Sequence, residues 1–550
     1  MKRTIHLLLL PGACALAVPA TAQIVPDAGS VLRQIAPLPA PAPPRDGDAA
    51  LPAPPALPAP QAGGGAVVRV SAFRITGATV FTEAQLQQLL QDGVGRDLDL
   101  AGLEALADRI SRHYRSHGYT VARAYLPAQD VRGGTVEIAV IEGRFSAVTV
   151  RGTAPASLPL GALSEGAVVT DAALERSLLL ASEVPGIAVR STLQPGASVG
   201  TSELVVDVQP GERFRGNVEA DNFGSRSTGR NRLGATLLVN NPAGAGDLVT
   251  LRAIASDAHL AYGRAAYQVP VGRNGTNVGA ALSAMHYRLG EEFASLDAHG
   301  TADIASLFLA HPLLRTRMAN MNVQLAFDDK RLRDDVDAVA STTERTVRSL
   351  TAGVTGDRSD AWGGGGAWIY SLAYTRGRLA IDTPAARALD DATAGTAGGF
   401  DKLAVVLSRQ QALAPATLLF ASWTGQWTPG NLDSSEKLPL GGIGGVRAYP
   451  QGEAPSDQAS LLTVELRRNL SAAWQLVAFA DTATGRTNAE PWSGAGNGRR
   501  TLSGAGIGVS WAGERGLGAR LYYAHKVGDA RATTEPDSDG RWWLQAGWTF

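Results

Sequence analysis

Apolar and polar residues alternate with a period of two from about residue 213 to the end of the chain. The segments 247–256, 416–427 and 473–483 each place apolar side chains on one face and polar or small ones on the other. Clusters of Gly, Asn, Asp and Pro separate such segments, as expected for strands joined by turns. At about 20 residues per strand and turn, residues 212–550 predict an all-β transmembrane barrel of about 16 antiparallel strands.

The last strand shows this alternation most clearly. Its apolar face carries Trp542, Leu544, Ala546, Trp548 and Phe550. Aromatic residues therefore stand near both ends of that face, as contact with lipid and its two interfaces requires. A soluble β-sandwich is the alternative for so many strands. The size of the region, the small and polar residues on the second face and the terminal phenylalanine favour the membrane barrel.

Residues 67–211 have a different pattern, in which helical segments stand between short strands. Residues 67–144 predict the order β-α-α-β-β, and Thr82 and Gln85 have the spacing of a capping box at the start of the first helix. The same order recurs more weakly over residues 145–211. We therefore predict two small α+β domains in tandem. Each is too small to enclose a substrate cavity, which favours a docking role.

The beginning of the chain has the features of an export signal. Residues 1–22 contain a basic start, an apolar stretch and an Ala-x-Ala ending, so we expect cleavage after Ala22. Cleavage removes the one cysteine, Cys14, which excludes disulfides from the mature chain. No later stretch reaches about 18 apolar residues, so no transmembrane helix is predicted. An exported chain of this kind is soluble or a barrel.

A short helix and a long linker are predicted between the signal peptide and the first domain. In residues 23–35, Val31, Leu32 and Ile35 share one face of an amphipathic helix. Residues 36–66 are rich in Pro and Ala and predict an extended linker. A linker of this length suggests that the helix reaches a site far from the next domain. A disordered N-terminal tail is the alternative.

Composition and motifs give no indication of catalysis. The formal net charge is -1 and no basic stripe is present, so we expect no nucleic-acid partner. His113 and His117 are one helical turn apart, but without further ligands they favour solvated histidines over a metal site. Residues 328–335, DDKRLRDD, predict a solvated loop or hairpin end. The glycines of residues 504–508 predict a strand with a small-residue face. We expect no enzyme activity, metal or cofactor.

Three local motifs resemble the TpsB transporters, the outer-membrane half of bacterial two-partner secretion systems. Residues 73–86, FRITGATVFTEAQL, resemble the opening of that family's first POTRA (polypeptide-transport-associated) domain. Residues 219–251 resemble its first barrel hairpin. Residues 444–452, GGVRAYPQG, resemble its lid-loop motif. The resemblance extends over essentially the whole mature chain.

The resemblance implies a plug helix, a linker, two periplasmic POTRA domains and a 16-stranded barrel, in that order. On this chain the expected boundaries are 1–22 for the signal peptide, 23–35 for the plug helix, 36–66 for the linker, 67–144 and 145–211 for the two POTRA domains and 212–550 for the barrel.

The resemblance also implies a pair of site residues inside the barrel. The lid-loop motif corresponds to Val446, Arg447, Ala448 and Tyr449, with alanine where the family usually has glycine. A Phe-x-Asp motif on the barrel wall corresponds to Phe479 and Asp481. Its two residues share a face, which would turn Asp481 into the lumen.

We predict that the lid-loop arginine pairs with the wall aspartate and holds the loop inside the barrel. The usual glycine two residues after that aspartate is Ala483 in this chain. The alternative is a surface arginine and an unrelated, solvated aspartate.

The implied function is protein translocation at the outer membrane of a Gram-negative bacterium. The expected partner is a large unfolded exoprotein of the TpsA type with an N-terminal secretion domain. POTRA domains would capture it in the periplasm and the barrel would pass it outward without nucleotide hydrolysis. Outer-membrane lipid and the barrel-assembly machinery are further expected partners, the latter recognising Trp548 and Phe550 as a C-terminal signal. A barrel-assembly insertase is the alternative, and a diffusion porin is a more distant one.

Overall fold

A short helix forms the first structured segment of the chain. The computed structural model describes residues 25–35, 67–493, 495 and 498–550. Helix α1 spans Ala28–Ile35, inside the predicted segment 23–35. The predicted signal peptide, 1–22, and the predicted linker, 36–66, lie outside the described residues.

The first small α+β unit has the predicted order of elements with two additional short strands. Its elements are β1 Val68–Arg69, β2 Ala72–Thr76, α2 Glu83–Gln88, β3 Asp97–Leu98, α3 Leu100–Ser116, β4 Arg123–Tyr125 and β5 Thr135–Ile141. Strand β5 lies between β2, to which it is parallel, and β4. Thr82 and Gln85 form the capping box that begins α2. Both helices pack their apolar faces on this sheet.

The second unit contains one helix where two were expected. Its elements are β6 Arg144–Arg151, α4 Asp171–Ser182, β7 Ile187–Pro195 and β8 Thr201–Pro210. Strand β8 lies between β6 and β7. The expected first helix would fall on residues 153–167, which form turns. Pro155, Pro159 and Gly161 interrupt that segment, and proline inside a helix removes a backbone donor and clashes with the preceding turn.

The remaining described residues close into a barrel of sixteen antiparallel strands, which confirms the predicted fold class. The barrel strands are β9 Phe214–Asp221, β10 Arg232–Asn240, β11 Leu248–Ser256, β12 Ala261–Val271, β13 Thr276–Arg288, β14 Ala298–Arg315, β15 Ala319–Val336, β16 Ser341–Asp360, β17 Gly366–Ile381, β18 Gly398–Ala414, β19 Thr417–Trp427, β20 Gln458–Asn469, β21 Trp474–Arg486, β22 Arg499–Ala512, β23 Leu517–Lys526 and β24 Gly540–Thr549. Strand β24 pairs with β9 and thereby removes both sheet edges.

Alternation along each strand gives the barrel an apolar outer face and a mixed inner face. On β21, Trp474 and Leu476 are exposed on the outside, whereas Val477, Phe479 and Asp481 are buried inside. Each wall strand is paired with a neighbour on both sides around the closed barrel, so the outer face can contact lipid.

The charged segment 328–335 is the last part of strand β15, just before the turn at Asp337–Val339, so of the two predicted forms it is the end of a hairpin and not a loop. Strands β14 to β16 have 18, 18 and 20 residues, whereas about 9–11 are needed to cross a bilayer. Beyond the bilayer both faces of a strand contact polar surroundings, so charged residues no longer indicate a loop.

The sequence also missed helix α5, Pro384–Ala392, between β17 and β18. No helix among the described residues is long and apolar enough to cross a membrane.

The second α+β unit lies against one rim of the barrel. The backbone N–H of Gly161 donates to the carbonyl of Arg273 at 3.2 Å, in the turn between β12 and β13. The Arg176 guanidinium donates to the carbonyl of Pro312 at 2.6 Å, at the end of β14. Turns that follow even-numbered barrel strands therefore form the rim beside the second unit. The opposite rim carries the longer loops, including residues 428–457, here called the lid loop.

Candidate functional site

Helix α1 lies inside the barrel lumen. Asp27 precedes it and accepts a hydrogen bond from the Ser30 backbone N–H at 2.9 Å, which satisfies one free donor of the first turn. Val31 and Ile35 are buried, and Leu32 is partly buried on the same face. Their apolar neighbours come from the inner faces of β11, β13, β14, β15, β16, β17 and β18: Ile254, Met285, Tyr287, Ala302, Leu332, Val347, Leu379 and Phe400.

A charged cluster holds the N-terminal end of α1. The Arg345 guanidinium on β16 donates to Asp27 at 2.8 Å, to Asp334 at 2.7 Å and to Asp433 at 2.6 Å. Asp334 also accepts a hydrogen bond from the Ala28 backbone N–H at 2.7 Å. One arginine thus connects the helix, two neighbouring wall strands and the lid loop. Sequence reasoning missed this cluster because its members are separated by tens to hundreds of residues.

The lid loop packs directly on helix α1. A Cβ atom built on Gly29 would lie 2.6 Å from the Ser435 backbone nitrogen, so only glycine permits this approach. The Arg33 side chain donates to the carbonyl of Lys437 at 3.1 Å. The helix and the loop therefore occupy the lumen as one packed body.

Glu436 connects the lid loop to the barrel wall. Its carboxylate is buried and pairs with Lys330 of β15 and with Lys402 of β18, each at 2.5 Å. Burying three charges is tolerated because each finds an opposite partner and a hydrogen bond. This pairing fixes the part of the lid loop that contacts α1.

Arg447 is buried at the inner end of the lid loop and contacts two carboxylates. Its guanidinium forms a bidentate pair with Asp481 at 2.8 and 2.9 Å. A third nitrogen donates to Glu465 of β20 at 2.7 Å. The guanidinium also stacks on the Phe479 ring, with 3.5 Å from its carbon to the ring centroid. The structure thus brings the predicted pair together and adds Glu465, which the prediction missed.

The alternation along its strand could have identified Glu465 as a lumen-facing residue. Strand β20 pairs with β21 so that Glu465 lies opposite Phe479, and Thr463 lies opposite Asp481. Glu465 alternates with outward-facing Leu462, Val464 and Leu466, so it stands on the lumen face. Glu465 was therefore a recognisable second partner for Arg447, because it is an acidic lumen residue on the strand next to Asp481.

The remaining lid-loop residues pack against the last strands of the barrel. Val446, Ala448 and Tyr449 are buried, and the Tyr449 hydroxyl donates to the carbonyl of Ala530 at 3.0 Å. Ala448 has no positive φ, so alanine in place of the family's glycine imposes no left-handed strain. Its Cβ atom lies over Gly504, where an added Cβ would approach to 2.5 Å.

Two further contacts fasten the lid loop near the seam of the barrel. The indole N–H of Trp543 on β24 donates to the Arg447 carbonyl at 2.7 Å. Buried Glu453 accepts hydrogen bonds from the backbone N–H groups of Thr533 and Thr534, each at 3.0 Å, and pairs with Arg500.

Ala483, the second alanine in place of the family's usual glycine, is buried on β21 and, like Ala448, has no positive φ.

The predicted C-terminal residues lie on the outer face at the end of the barrel. Trp548 and Phe550 are both about half exposed, and their rings are in contact at 4.9 Å between centroids. The structure places them away from the lumen and from the lid loop.

The described residues contain no group of three or more His, Cys, Asp or Glu side chains arranged to hold a metal ion. His113 and His117 pack beside the Phe81 ring, with centroids 4.7 and 5.2 Å from it.

Comparison with known families and sequences gives consistent matches. Residues 200–511 match the family described as haemolysin secretion/activation protein ShlB/FhaC/HecB. Residues 68–143 match the POTRA domain of ShlB type. The heme/hemopexin transporter protein HuxB of Haemophilus influenzae is 31% identical over 395 residues, covering 70% of this chain and 69% of that protein. The outer membrane transporter CdiB of Escherichia coli is 25% identical over 425 residues, covering 73% and 69%.

Solved structures give the same result for the fold. CdiB from Escherichia coli superimposes with a TM-score of 0.72 at 24% identity, covering 91% of this chain and 94% of that one. CdiB from Acinetobacter baumannii superimposes with a TM-score of 0.65 at 16% identity, covering 89% and 91%.

Proposed function

The chain belongs to the haemolysin secretion/activation family ShlB/FhaC/HecB, and on this premise we propose that its two POTRA units recognise an unfolded exoprotein in the periplasm and pass it to the barrel. Members of the family are outer-membrane transporters of two-partner secretion, with their POTRA domains in the periplasm. Its partner would be a large exoprotein of the TpsA type with an N-terminal secretion domain.

The observation that carries the proposal is the way in which the lumen is closed. Helix α1 and the lid loop block it, and both are held by side-chain contacts rather than by pairing with the wall strands. The wall is complete without them. Both occupants can therefore leave the lumen while the barrel stays folded, which opens a path for an extended chain.

The POTRA units offer sheet edges for an extended partner. In the second unit the nine-residue strand β7 lies at the edge of its sheet, with β8 on its other side. An unfolded polypeptide can add to such an edge through backbone hydrogen bonds, which require little of its sequence. The unit lies against the barrel rim, so a strand captured there starts close to the lumen.

No nucleotide is required in this scheme. Folding of the exoprotein outside the cell would make its outward movement irreversible. We also propose the boundaries 23–35 for the plug helix, 67–144 and 145–211 for the POTRA domains and 212–550 for the barrel. Trp548 and Phe550 would be recognised by the barrel-assembly machinery during insertion.

Quantitative proteomics of culture medium and outer membrane, with and without this gene, tests the proposal. We expect loss of one large protein from the medium while other outer-membrane barrels stay unchanged. The gene restored in its wild-type form should recover secretion of that protein. A general fall in outer-membrane barrels would instead indicate an insertase and contradict the proposal.

A further inference from the structure

The outer face of the barrel carries an unusual charged group near the periplasmic rim. On β18, Leu403 and Leu407 face outward and Lys402 faces the lumen. Arg409 and Gln411 follow Leu407 by two and four residues, so they stand on the same outer face. An arginine on the lipid face is unfavourable at mid-depth and acceptable only near an interface. Arg409 lies close to the periplasmic end of its strand.

Arg409 is held in place by its neighbours and is only 8% exposed. Its guanidinium pairs with both oxygens of Asp360 on β16, at 2.5 and 2.9 Å. It also lies beside two indole rings, 5.4 Å from the centroid of Trp362 and 5.1 Å from that of Trp368. Aromatic and cationic groups combined in this way are typical of the headgroup layer.

The turn between β16 and β17 projects Trp362 away from the wall. Gly363, Gly364 and Gly365 all have positive φ, which other residues rarely adopt. The Gln411 side chain donates to carbonyl groups of this turn, including that of Trp362 at 2.9 Å. The turn is therefore fixed from the outer face, and the Trp362 side chain is 74% exposed.

Arg358 adds a second positive charge to the same surface. It precedes Asp360 by two residues on β16, so both face outward, and it lies directly opposite Trp368 in the register with β17. Its side chain is exposed. Two arginines and one aspartate leave a net charge of +1 beside an exposed indole at the depth of the headgroups.

We propose that Arg358, Asp360, Trp362, Trp368, Arg409 and Gln411 form a binding site for an anionic phospholipid of the periplasmic leaflet. The lipid phosphate would pair with Arg358, while the indole of Trp362 would lie at the interface beside it. Arg409 is already neutralised by Asp360, and it positions both tryptophans. The charge of the site matches a headgroup such as phosphatidylglycerol, which carries one negative charge. The site is separate from the lumen and does not depend on the proposed function.

Native mass spectrometry of the full chain in neutral detergent, titrated with phosphatidylglycerol, tests this site. We expect Arg358→Gln to raise the lipid concentration needed for half occupancy roughly fivefold, since one arginine near anionic lipid is worth about 1 kcal/mol. Arg358→Lys should retain most of the binding. Heat-modified electrophoretic mobility would show that each variant has a folded barrel.

Arg468 supplies a matched control. It is also exposed on the outer face at the periplasmic end of a strand, but it donates to the Pro415 carbonyl and the Thr417 hydroxyl. Arg468→Gln should leave lipid occupancy unchanged. Equal losses for Arg358→Gln and Arg468→Gln, or equal binding of phosphatidylcholine, would overturn the proposal in favour of a non-specific lipid shell. Displacement by inorganic phosphate would overturn it in favour of a free-phosphate site.

Discussion

Arg447 illustrates how a buried charge is accommodated within the lumen. Asp481 and Glu465 supply two negative charges, and Arg467 adds a second positive one by donating to Glu465 at 2.8 Å. The cluster is neutral as a whole. Buried ion pairs of this kind are costly to break because the partner left behind stays buried without compensation. The cluster therefore favours one position of the lid loop.

We predict that Arg447→Ala releases the lid loop, because it leaves Asp481 and Glu465 facing each other without their shared partner. The expected cost to the closed position is about 3–5 kcal/mol. Trypsin cleavage after Lys437, measured on intact cells, should increase strongly. Asp481→Asn alone should have a smaller effect, since Glu465 still pairs with Arg447.

The double variant Asp481→Asn with Glu465→Gln should approach the effect of Arg447→Ala. If Asp481→Asn alone already equals Arg447→Ala, the second carboxylate has no role in holding the loop.

A second prediction concerns the contact between Ala448 and Gly504. Gly504→Ala should displace the lid loop, because the added Cβ would lie 2.5 Å from the Ala448 Cβ. Ala448→Gly should be nearly neutral, and the double variant should recover protease resistance because it removes the clash. Additive losses in the double variant would show that the two positions act independently.

Helix α1 is too short to be stable alone, so its position depends on tertiary contacts. Isolated helices below about 12–15 residues are marginal in water, and α1 has eight residues. Its apolar face packs on the inner wall, and Arg345 joins its Asp27 to the wall and the lid loop. Loss of this one arginine would leave three carboxylates close together.

We therefore predict that Arg345→Gln opens the lumen. Mutual repulsion of Asp27, Asp334 and Asp433 should displace α1, and the purified chain should show a higher mean conductance in planar bilayers. Arg348→Gln is the matched control, because Arg348 lies on the same strand but is exposed and pairs with Asp329. Equal conductance for the wild type and Arg345→Gln would contradict the role of the cluster.

At the scale of the whole molecule, a buried carboxylate stands where the two POTRA units join. Glu142 follows the last strand of the first unit and accepts hydrogen bonds from the backbone N–H groups of Thr79 and Val80, each at 2.6 Å, and from the Tyr114 hydroxyl at 3.0 Å. Arg144, which begins the second unit, donates to it at 3.2 Å. Burial opposes its ionisation, but these hydrogen bonds outweigh burial and lower the pKa of Glu142.

The lowered pKa predicts acid sensitivity of this junction. A carboxyl whose pKa is depressed by folding contributes stability above its ordinary pKa of 4.5, and that contribution is lost as the pH falls through the folded value. The protection factors of helix α3 against hydrogen exchange, corrected for the intrinsic pH dependence of exchange, should fall below about pH 4.5 in the full chain.

In the Glu142→Gln variant the free energy of opening of helix α3 should be about 1.5–3 kcal/mol lower. Its amides should therefore exchange faster at neutral pH, and their protection should no longer depend on acid. The same acid dependence in both proteins would place the sensitive group elsewhere.

The sequence by itself determined the strands, their faces and the modular order of the chain. Period-two alternation is a local property, so it identified the barrel and placed Asp481 on the inner face of β21 together with Phe479. Prolines and glycines in residues 153–167 were also a local signal, and they explain why the second unit has one helix. Alternation could not reveal how far strands extend beyond the bilayer, so it did not decide whether charged residues 328–335 form a loop or the end of a hairpin.

Only the tertiary structure decided which charges meet in the lumen. Arg345 contacts Asp27, Asp334 and Asp433, which are separated by up to about 400 residues in the chain. Closure of the sheet places Arg345 and Asp334 on the wall of one lumen. Helix α1, near the start of the sequence, and the lid loop, about 400 residues later, both lie in that lumen. Ion pairing depends on distances of a few ångströms. No local pattern of residues specifies such distances, so the ion pairs that hold α1 and the lid loop can be identified only in the closed barrel.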